Sequence, residues 1–191
     1  MTSIDEQQRI RRILDGEREE YGWFVRQYSQ QVLDFTSRLV TDTKDAEELA
    51  QDAFVKAFRS LATFAGQASF CTWVCRIAYH EALNHLRRRR LYTVELDDRT
   101  VVSEFCSLTS TDNLPTDHEE RILLMEEAIG LLPPNERMLI HLFYYENRPL
   151  REIAYLMDVE PTALATRLHR IRKKLLTMIK AKENDERTER E

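Results

Sequence analysis

Apolar residues recur at steps of three and four along two stretches of the chain, residues 21–92 and 121–182. This spacing places them on one face of an α-helix. The stretch between them, 93–120, is dominated by Ser, Thr, Asp and Asn and carries no such period. With only four Gly and five Pro in 191 residues, a turn-rich β fold is disfavoured. We predict an all-α fold with two small helical domains joined by an extended linker.

The two ends of the chain are strongly charged. Residues 1–20 have sparse apolar positions and are predicted to form a short helix or a frayed arm, and residues 183–191 a solvated tail. The N-terminus lacks the pattern of a signal peptide, and no apolar run approaches the roughly 20 residues that span a bilayer. We therefore expect a cytoplasmic protein with no membrane insertion.

The cysteines are candidate metal ligands. Cys71 and Cys75 are four residues apart, near His80 and His85, whereas a zinc site needs four convergent ligands at recognisable spacings. Free cysteine usually packs as a small hydrophobe. We predict free thiols in a reducing compartment, no metal and no cofactor.

The clearest local pattern is residues 149–174, PLREIAYLMDVEPTALATRLHRIRKK. A short helix with Ile153 and Met157 inward is followed by a tight turn and by Pro161, which suits a first helical position. A second helix has Leu164 and Leu168 inward. This is the helix-turn-helix arrangement.

The second of these helices is basic on its outward side. Residues 162–182 contain seven Lys or Arg and no Asp or Glu, although the whole chain has a net charge of −5. Such a helix fits the major groove of DNA, with base edges near its start and phosphates further along. Seven phosphate contacts predict a salt slope of up to about −6. The alternative is a solvated basic helix in an ordinary bundle.

Two further segments carry a functional pattern. Residues 64–90 contain aromatic residues interleaved with Arg76, and the segment ends in four consecutive arginines. This combination is suited to single-stranded DNA. The alternative is that the aromatic residues, which recur at helical spacing, belong to the core. In residues 42–52, five acids against one lysine could form a docking face for a basic partner, or simply a solvated helix start favoured by the helix dipole.

Taken in order, these segments resemble the extracytoplasmic-function group of sigma-70-family factors. DAEELAQDAFVKAF resembles the region 2 helix that binds the polymerase clamp, and residues 64–90 resemble the segment that melts and reads the downstream promoter element. Residues 132–175 are similar to region 4, which reads the upstream element. The resemblance covers about residues 20–180. It implies region 2 over 21–92 and region 4 over 121–182.

The resemblance also implies partners: promoter DNA, core RNA polymerase through its β′ clamp and β flap, and an anti-sigma factor. The implied β′-clamp contacts are Glu48, Gln51 and Asp52, with Phe54 packing behind. The implied downstream-element residues are Phe64, Gly66, Ser69, Trp73, Arg76, His80, Asn84, Arg87, Arg88, Arg89 and Arg90. The implied recognition-helix residues are Thr162, Ala163, Thr166, Arg167, His169, Arg170, Arg172, Lys173 and Lys174.

Some positions depart from the family pattern. His80 stands where Asn is usual, and Thr162, Ala163 and Ala165 replace a common Gly-Thr-Val-Lys start to the recognition helix. Asp158 occupies a turn position where many members carry Gly. These departures bear on the promoter sequence rather than on the fold.

Two other classes of function compete with this one. A stand-alone helix-turn-helix regulator, with an N-terminal dimerisation or sensing domain, would not need the acidic face followed by the aromatic–arginine segment. An enzyme is disfavoured because the sequence has no Gly-rich phosphate loop, metal-ligand run or nucleophile–base pattern. No catalytic residue is therefore predicted.

Overall fold

The computed structural model describes residues 4–94 and 118–189, and side chains within them except those of 90–94, 118–121 and 183–189. These residues form helices and no strand, which confirms the all-α prediction. The α-helices are α1 (Ile4–Leu14), α2 (Tyr21–Ser37), α3 (Thr43–Arg59), α4 (Phe70–Val94), α5 (His118–Gly130), α6 (Pro134–Ile140), α7 (Leu150–Met157) and α8 (Pro161–Glu189).

Helices α1–α4 form an N-terminal bundle around an aromatic core. Phe24, Phe35 and Phe70 are fully buried, and the Phe24 and Phe70 ring centroids are 4.2 Å apart. Burying aromatic side chains removes large apolar areas from water. The aromatic periodicity of the sequence therefore corresponds mainly to the core of this bundle.

The predicted N-terminal arm is helix α1, and it packs against α2. Ile10 and Ile13 are buried, and Tyr28 Oη donates a 2.5 Å hydrogen bond to the buried Glu6 carboxylate. Arg9 forms a 2.6 Å ion pair with Glu20 and lies over the ring of Trp23. The arm is thus an integral part of the bundle.

Helices α5–α8 form a C-terminal bundle with an aliphatic core. Met138, Leu139, Leu142 and Leu164 are among its fully buried side chains. A π-helical turn, His141–Tyr145, follows α6 directly. No helix in either described range has the length and apolar character needed to cross a membrane.

Three predicted boundaries differ from the structure. Helix α4 continues to Val94 and α5 begins at His118, so both ends of the predicted 93–120 linker are helical, while residues 95–117 lie outside the described residues. Helix α8 runs to Glu189, so most of the predicted solvated tail at 183–191 is helical. No Gly or Pro follows Pro161 to stop it, and charged residues other than Asp are good helix formers.

The two bundles contact each other through α4 and α7. Further contact joins the end of α2 to the turn before α7, where Arg38 forms a 3.2 Å ion pair with Glu146. The helix-turn-helix is therefore placed against the arginine-rich helix of the N-terminal bundle.

Candidate functional site

The acidic segment forms the first turns of α3, and its start is fixed by a side-chain cap. Asp42 Oδ1 accepts hydrogen bonds from the backbone N–H groups of Lys44 and Asp45, at 2.9 and 3.1 Å. These bonds lower the pKa of Asp42. Such a cap satisfies helix N–H groups that would otherwise lack a partner.

The three polar residues predicted to contact the clamp share one exposed surface of α3. Glu48, Gln51 and Asp52 are exposed, whereas Phe54 is buried and its carbonyl accepts a 2.7 Å hydrogen bond from Tyr21 Oη. Beside them, a groove of about 570 Å³ between α2 and α3 is lined mainly by apolar groups, including Val55, which is 46% exposed. An acidic rim next to an apolar groove is the composition expected of a protein-binding surface.

The loop before α4 is built around aromatic packing. Gly66 has φ +66°, a left-handed conformation that glycine adopts without strain. Phe64 is half-buried, and its ring lies 5.0 Å from Trp73 and 5.9 Å from Phe70, measured between centroids. Trp73 is only 9% exposed, so it is a core residue in this arrangement. Of these three rings, that of Phe64 is the one open to solvent at the loop.

Ser69 has a structural role that the sequence prediction did not include. Its Oγ accepts a 3.1 Å hydrogen bond from the backbone N–H of Thr72, and its carbonyl accepts one from the N–H of Trp73. Ser69 therefore caps the N-terminus of α4. Its predicted contact with DNA stays a prediction.

The arginines at the end of α4 are partly paired. Arg89 forms a 2.7 Å ion pair with Asp45, which also lies 3.1 Å from His85 Nε2. Arg87 and Arg88 are exposed and form long hydrogen bonds to Asn84, whereas the side chain of Arg90 lies outside the described residues. His80 is half-buried beside the Tyr79 ring.

The helix-turn-helix has the predicted geometry. Helices α7 and α8 are joined by a turn in which Asp158 has φ 56° and ψ 48°, and Leu164, Leu168, Ile171 and Leu175 of α8 are buried. The predicted contact residues that are exposed are Thr162, Ala163, Thr166, His169, Arg170, Arg172, Lys173 and Lys174. Arg167 is half-buried.

Some of the basic side chains of α8 are oriented by neighbours. Arg172 Nε donates a 2.5 Å hydrogen bond to Tyr144 Oη, and Lys174 forms a 3.1 Å ion pair with Glu136. Arg170 and Lys173 form no ion pair within the described residues. They are the cations of this face most available to phosphates.

The structure also shows a second apolar groove, which sequence reasoning missed. It has a volume of about 550 Å³ and lies between α5, the π-helical turn and α8. Met125, Tyr144 and Leu176 line it, and each is at least 40% exposed. The signal in the sequence was Leu176, which follows His169 by seven residues and Arg172 by four and so falls on the polar side of α8.

Cys71 and Cys75 are free, buried thiols. A hydrogen bond from Cys75 lowers the pKa of Cys71, and the same bond with burial raises that of Cys75. No group of three or more His, Cys, Asp or Glu side chains within 4–94 and 118–189 is arranged to hold a metal ion.

These features define a two-domain helical protein with a helix-turn-helix of the DNA-binding kind. The Sigma-70 region 2 family model matches residues 24–92, and the Sigma-70 region 4 model matches residues 122–175. The chain is 30% identical to the RNA polymerase sigma-H factor of Pseudomonas aeruginosa, covering 90% of this chain and 92% of that protein. It is 28% identical to the ECF RNA polymerase sigma-E factor of Escherichia coli (strain K12), covering 88% and 91%.

Two solved structures share the fold. The structure of CnrH in complex with the cytosolic domain of CnrY matches with a TM-score of 0.59 at 20% identity, covering 91% of this chain and 96% of that one. The sigma factor RpoE in complex with the anti-sigma factor NepR from Bartonella quintana matches with a TM-score of 0.58 at 19% identity, covering 85% and 98%. The chain belongs to the sigma-70 family of RNA polymerase sigma factors, in its extracytoplasmic-function group.

Proposed function

We propose that this chain acts in the cytoplasm by binding core RNA polymerase and promoter DNA, directing promoter recognition and strand opening without chemistry of its own. The observation that carries the proposal is the separation of two faces of opposite charge. An exposed acidic face borders an apolar groove on α3, and an exposed basic face covers α8. One face suits a basic protein surface and the other suits DNA.

The α3 face is proposed to dock on the β′ clamp. Glu48, Gln51 and Asp52 are exposed, so their polar groups can pair with a partner without first leaving the core. Complementary charges raise the rate of encounter and fix the orientation, while the neighbouring apolar groove supplies buried area.

The groove between α5, the π-helical turn and α8 is proposed to receive the β flap. It is apolar and partly exposed, and a helix with apolar side chains at steps of three and four could lie in it. It lies on the side of α8 bearing Leu175 and Ile179 and is also lined by Arg172, whereas the predicted DNA contacts Thr166 and Arg170 line a different cleft. Polymerase and DNA could therefore bind this bundle together.

The loop before α4 is proposed to hold an unstacked base of the downstream element. Phe64 offers a half-exposed ring, and the arginines at the end of α4 could follow the phosphates. Extruding a base costs a few kcal/mol, and least where the duplex is already opening.

An anti-sigma factor is proposed as a further partner. The RpoE structure that shares this fold contains such an inhibitor. The exposed apolar side chains of both grooves, Val55 and Leu176 among them, are surfaces that an inhibitor could cover.

The docking assignment is tested by the double reversal Glu48→Lys with Asp52→Lys. We expect core polymerase to bind this variant at least tenfold more weakly, because two favourable charge contacts become repulsive. Binding can be measured by fluorescence anisotropy of the labelled factor, with run-off transcription from a selected promoter as the functional readout. Unfolding should be unchanged, since both side chains are exposed.

The matched control reverses two acids elsewhere in the same bundle, Asp15→Lys with Glu19→Lys, both of which are exposed. Equal weakening by the two pairs would show a general charge effect and contradict a docking face on α3. If the unmodified protein bound duplex promoter tightly without polymerase, the regulator hypothesis would replace this one.

A further inference from the structure

A cavity lies between the two bundles, next to the end of α2. The bundles are joined by the ion pair of Arg76 with Asp158 and, at the end of α2, by that of Arg38 with Glu146. Beside this second pair, a cavity of about 320 Å³ is lined by residues from the end of α2, from α5 and α6, and from the π-helical turn. Small-molecule pockets span roughly 300–1,000 Å³, so the space suits a small ligand.

Two arginines line the cavity with hydrogen-bonding capacity to spare. Arg137 forms no ion pair within the described residues, and its Nη1 donates a long, 3.4 Å hydrogen bond to the carbonyl of Gly130. Its Nε is buried and has no hydrogen-bond partner in those residues. Arg38 uses one of its five N–H donors in the 3.2 Å bond to Glu146, so the others are available to a ligand.

His141 contributes another buried nitrogen to the same cavity. Its Nδ1 has no hydrogen-bond partner in the described part of the chain and lies 3.5 Å from Glu146 Oε1, longer than a hydrogen bond of good geometry. Burial, and then the charge of Arg38, lower the pKa of His141, so the positive potential of this arginine reaches the ring. Buried polar groups nearly always have a partner, and a ligand with acceptor atoms would supply one here.

Carboxylates near the arginines limit the negative charge that the cavity can accept. Glu126 lines the cavity but is exposed, so an anion need not lie against it. Glu146 is paired with Arg38 and, at 2.6 Å, with Arg148. Arg137 therefore supplies the positive charge that no described carboxylate pairs with. A ligand with a single phosphate matches this charge better than a polyphosphate does.

The rest of the lining is largely apolar and aromatic. Val40 and Met138 are buried at the cavity. The ring of Tyr145 is stacked on that of His141, with 5.2 Å between centroids and 17° between planes. Tyr145 is 57% exposed, so its ring is accessible to a ligand. A flat aromatic wall favours a planar ring, and arginine favours phosphate.

We propose that this cavity binds a nucleoside monophosphate, with its phosphate on Arg137 and Arg38 and its base against the ring of Tyr145. The inference goes beyond the proposed function, since these residues belong neither to the acidic face of α3 nor to the basic face of α8. A ligand that touches both bundles binds the folded chain and not the unfolded one, so it raises the unfolding temperature.

Isothermal titration calorimetry on the full-length protein tests the proposal, with AMP, adenosine and inorganic phosphate as separate ligands. Salt at about 0.15 M screens unspecific attraction to the surface. AMP is titrated to about 5 mM, beyond a Kd of about 1 mM. We expect AMP to bind at least about tenfold more tightly than adenosine or phosphate, because each of these lacks one of the two recognised parts. AMP should also raise the unfolding temperature.

The cationic half of the site is tested by Arg137→Gln. This change keeps much of the side chain and removes its charge, so we expect AMP to bind at least about tenfold more weakly. Arg38→Gln should weaken binding in the same direction, and because Arg38 is exposed this variant keeps the test valid if Arg137→Gln folds poorly. The matched control, Arg151→Gln, removes the same charge from an exposed position on α7 and should leave the affinity unchanged.

The aromatic half of the site is tested by Tyr145→Leu. We expect AMP to bind this variant about fivefold more weakly, while the weak binding of inorganic phosphate stays the same. A merely structural role for Tyr145 would not separate the two ligands. The control is Tyr144→Leu, an exposed neighbour on the same turn that lines the groove against α8 and not this cavity.

The basic face of α8 is the competing site for a nucleotide. Arg170→Ala with Lys173→Ala removes two exposed cations there, and the affinity for AMP should stay unchanged. A loss as large as that of Arg137→Gln would place the nucleotide on the DNA-facing helix and overturn the inference. An absence of AMP binding, an equal loss in Arg151→Gln, or phosphate binding as tight as that of AMP would overturn it too. None of these measurements involves polymerase, so their outcome is independent of the proposed function.

Discussion

The two helices predicted to contact DNA, α4 and α8, are built differently. On α4 the predicted contacts include a core residue, Trp73, and a residue paired with the other bundle, Arg76. On α8 the predicted contacts lie on the outer face, and of the nine only Arg167 is half-buried. Helix α4 lies inside its bundle and contacts a second one, whereas α8 covers the surface of its own.

This difference shows when helical periodicity is sufficient to identify a functional residue. A helix with one neighbouring layer has one inward face, so residues off that face are exposed, as on α8. A helix with neighbours on several sides leaves few exposed positions, and aromatic residues at helical spacing then serve the core. The same spacing therefore has a different meaning on the two helices.

The largest expected effect tests whether Trp73 is a core residue or a DNA contact. Trp73→Ala should lower the free energy of unfolding by about 3–5 kcal/mol, because it removes a large buried side chain. The matched change on α8, His169→Ala, should stay within about 0.5 kcal/mol because His169 is exposed. Urea denaturation monitored by circular dichroism measures both. If Trp73→Ala lowered the free energy of unfolding as little as His169→Ala does, the indole would lie outside the core.

The next effect concerns DNA affinity and α8. Arg167→Ala with Arg170→Ala should make the slope of log affinity against log salt shallower by about 1.8, since each phosphate contact contributes about 0.9. The measurement is a salt titration of the factor bound to core polymerase, on duplex DNA selected from a random library. The control Arg11→Ala with Arg151→Ala removes equal charge from exposed positions on α1 and α7. Equal changes in slope would contradict a specific DNA-facing role for α8.

A smaller effect is expected at the start of α4. Ser69→Ala should lower the free energy of unfolding by about 1 kcal/mol, because the N–H of Thr72 loses its acceptor. Ser69→Thr keeps a hydroxyl acceptor and should retain most of the free energy of unfolding that Ser69→Ala loses. If Ser69→Ala changed oligonucleotide binding but not unfolding, the hydroxyl would belong to the DNA contact and not to the cap.

The smallest effect is a pH dependence where the bundles meet. Burial, and then the charge of Arg38 from the other bundle, lower the pKa of His141 below its usual 6.5. The folded state therefore binds this proton less readily than the unfolded state, so His141 reduces stability as the pH falls below 6.5.

His141→Gln should remove the contribution of His141 to the slope of unfolding free energy against pH. Arg38→Ala should remove part of that contribution. Unfolding free energies measured from about pH 7.5 to about pH 5 test this expectation, a window that brackets the ordinary histidine pKa. An unchanged slope in His141→Gln would show that another group titrates.

The helix-turn-helix illustrates what local sequence rules can predict. Pro161 at the start of α8, the tight turn at 158–160 and the inward residues Leu164 and Leu168 all follow from such rules. The exposed acidic face of α3 follows in the same way from the position of its buried residues. By contrast, the predicted end of α8 was too early, since its last residues contain no stop signal and charge alone does not end a helix.

The contacts between the bundles could not have been predicted. Asp158 and Arg76 are 82 positions apart, and neither carries a local signal that names the other. The two grooves, too, depend on side chains from several helices.

The amino-acid sequence by itself determined the helices, their inward faces and the sign of charge on each outer face, because these depend on residues three and four positions apart. Only the tertiary structure decided which outer faces remain open to partners. That depends on pairings between residues far apart in the chain. No local sequence rule identifies such a pairing, because it forms only once the helices have packed.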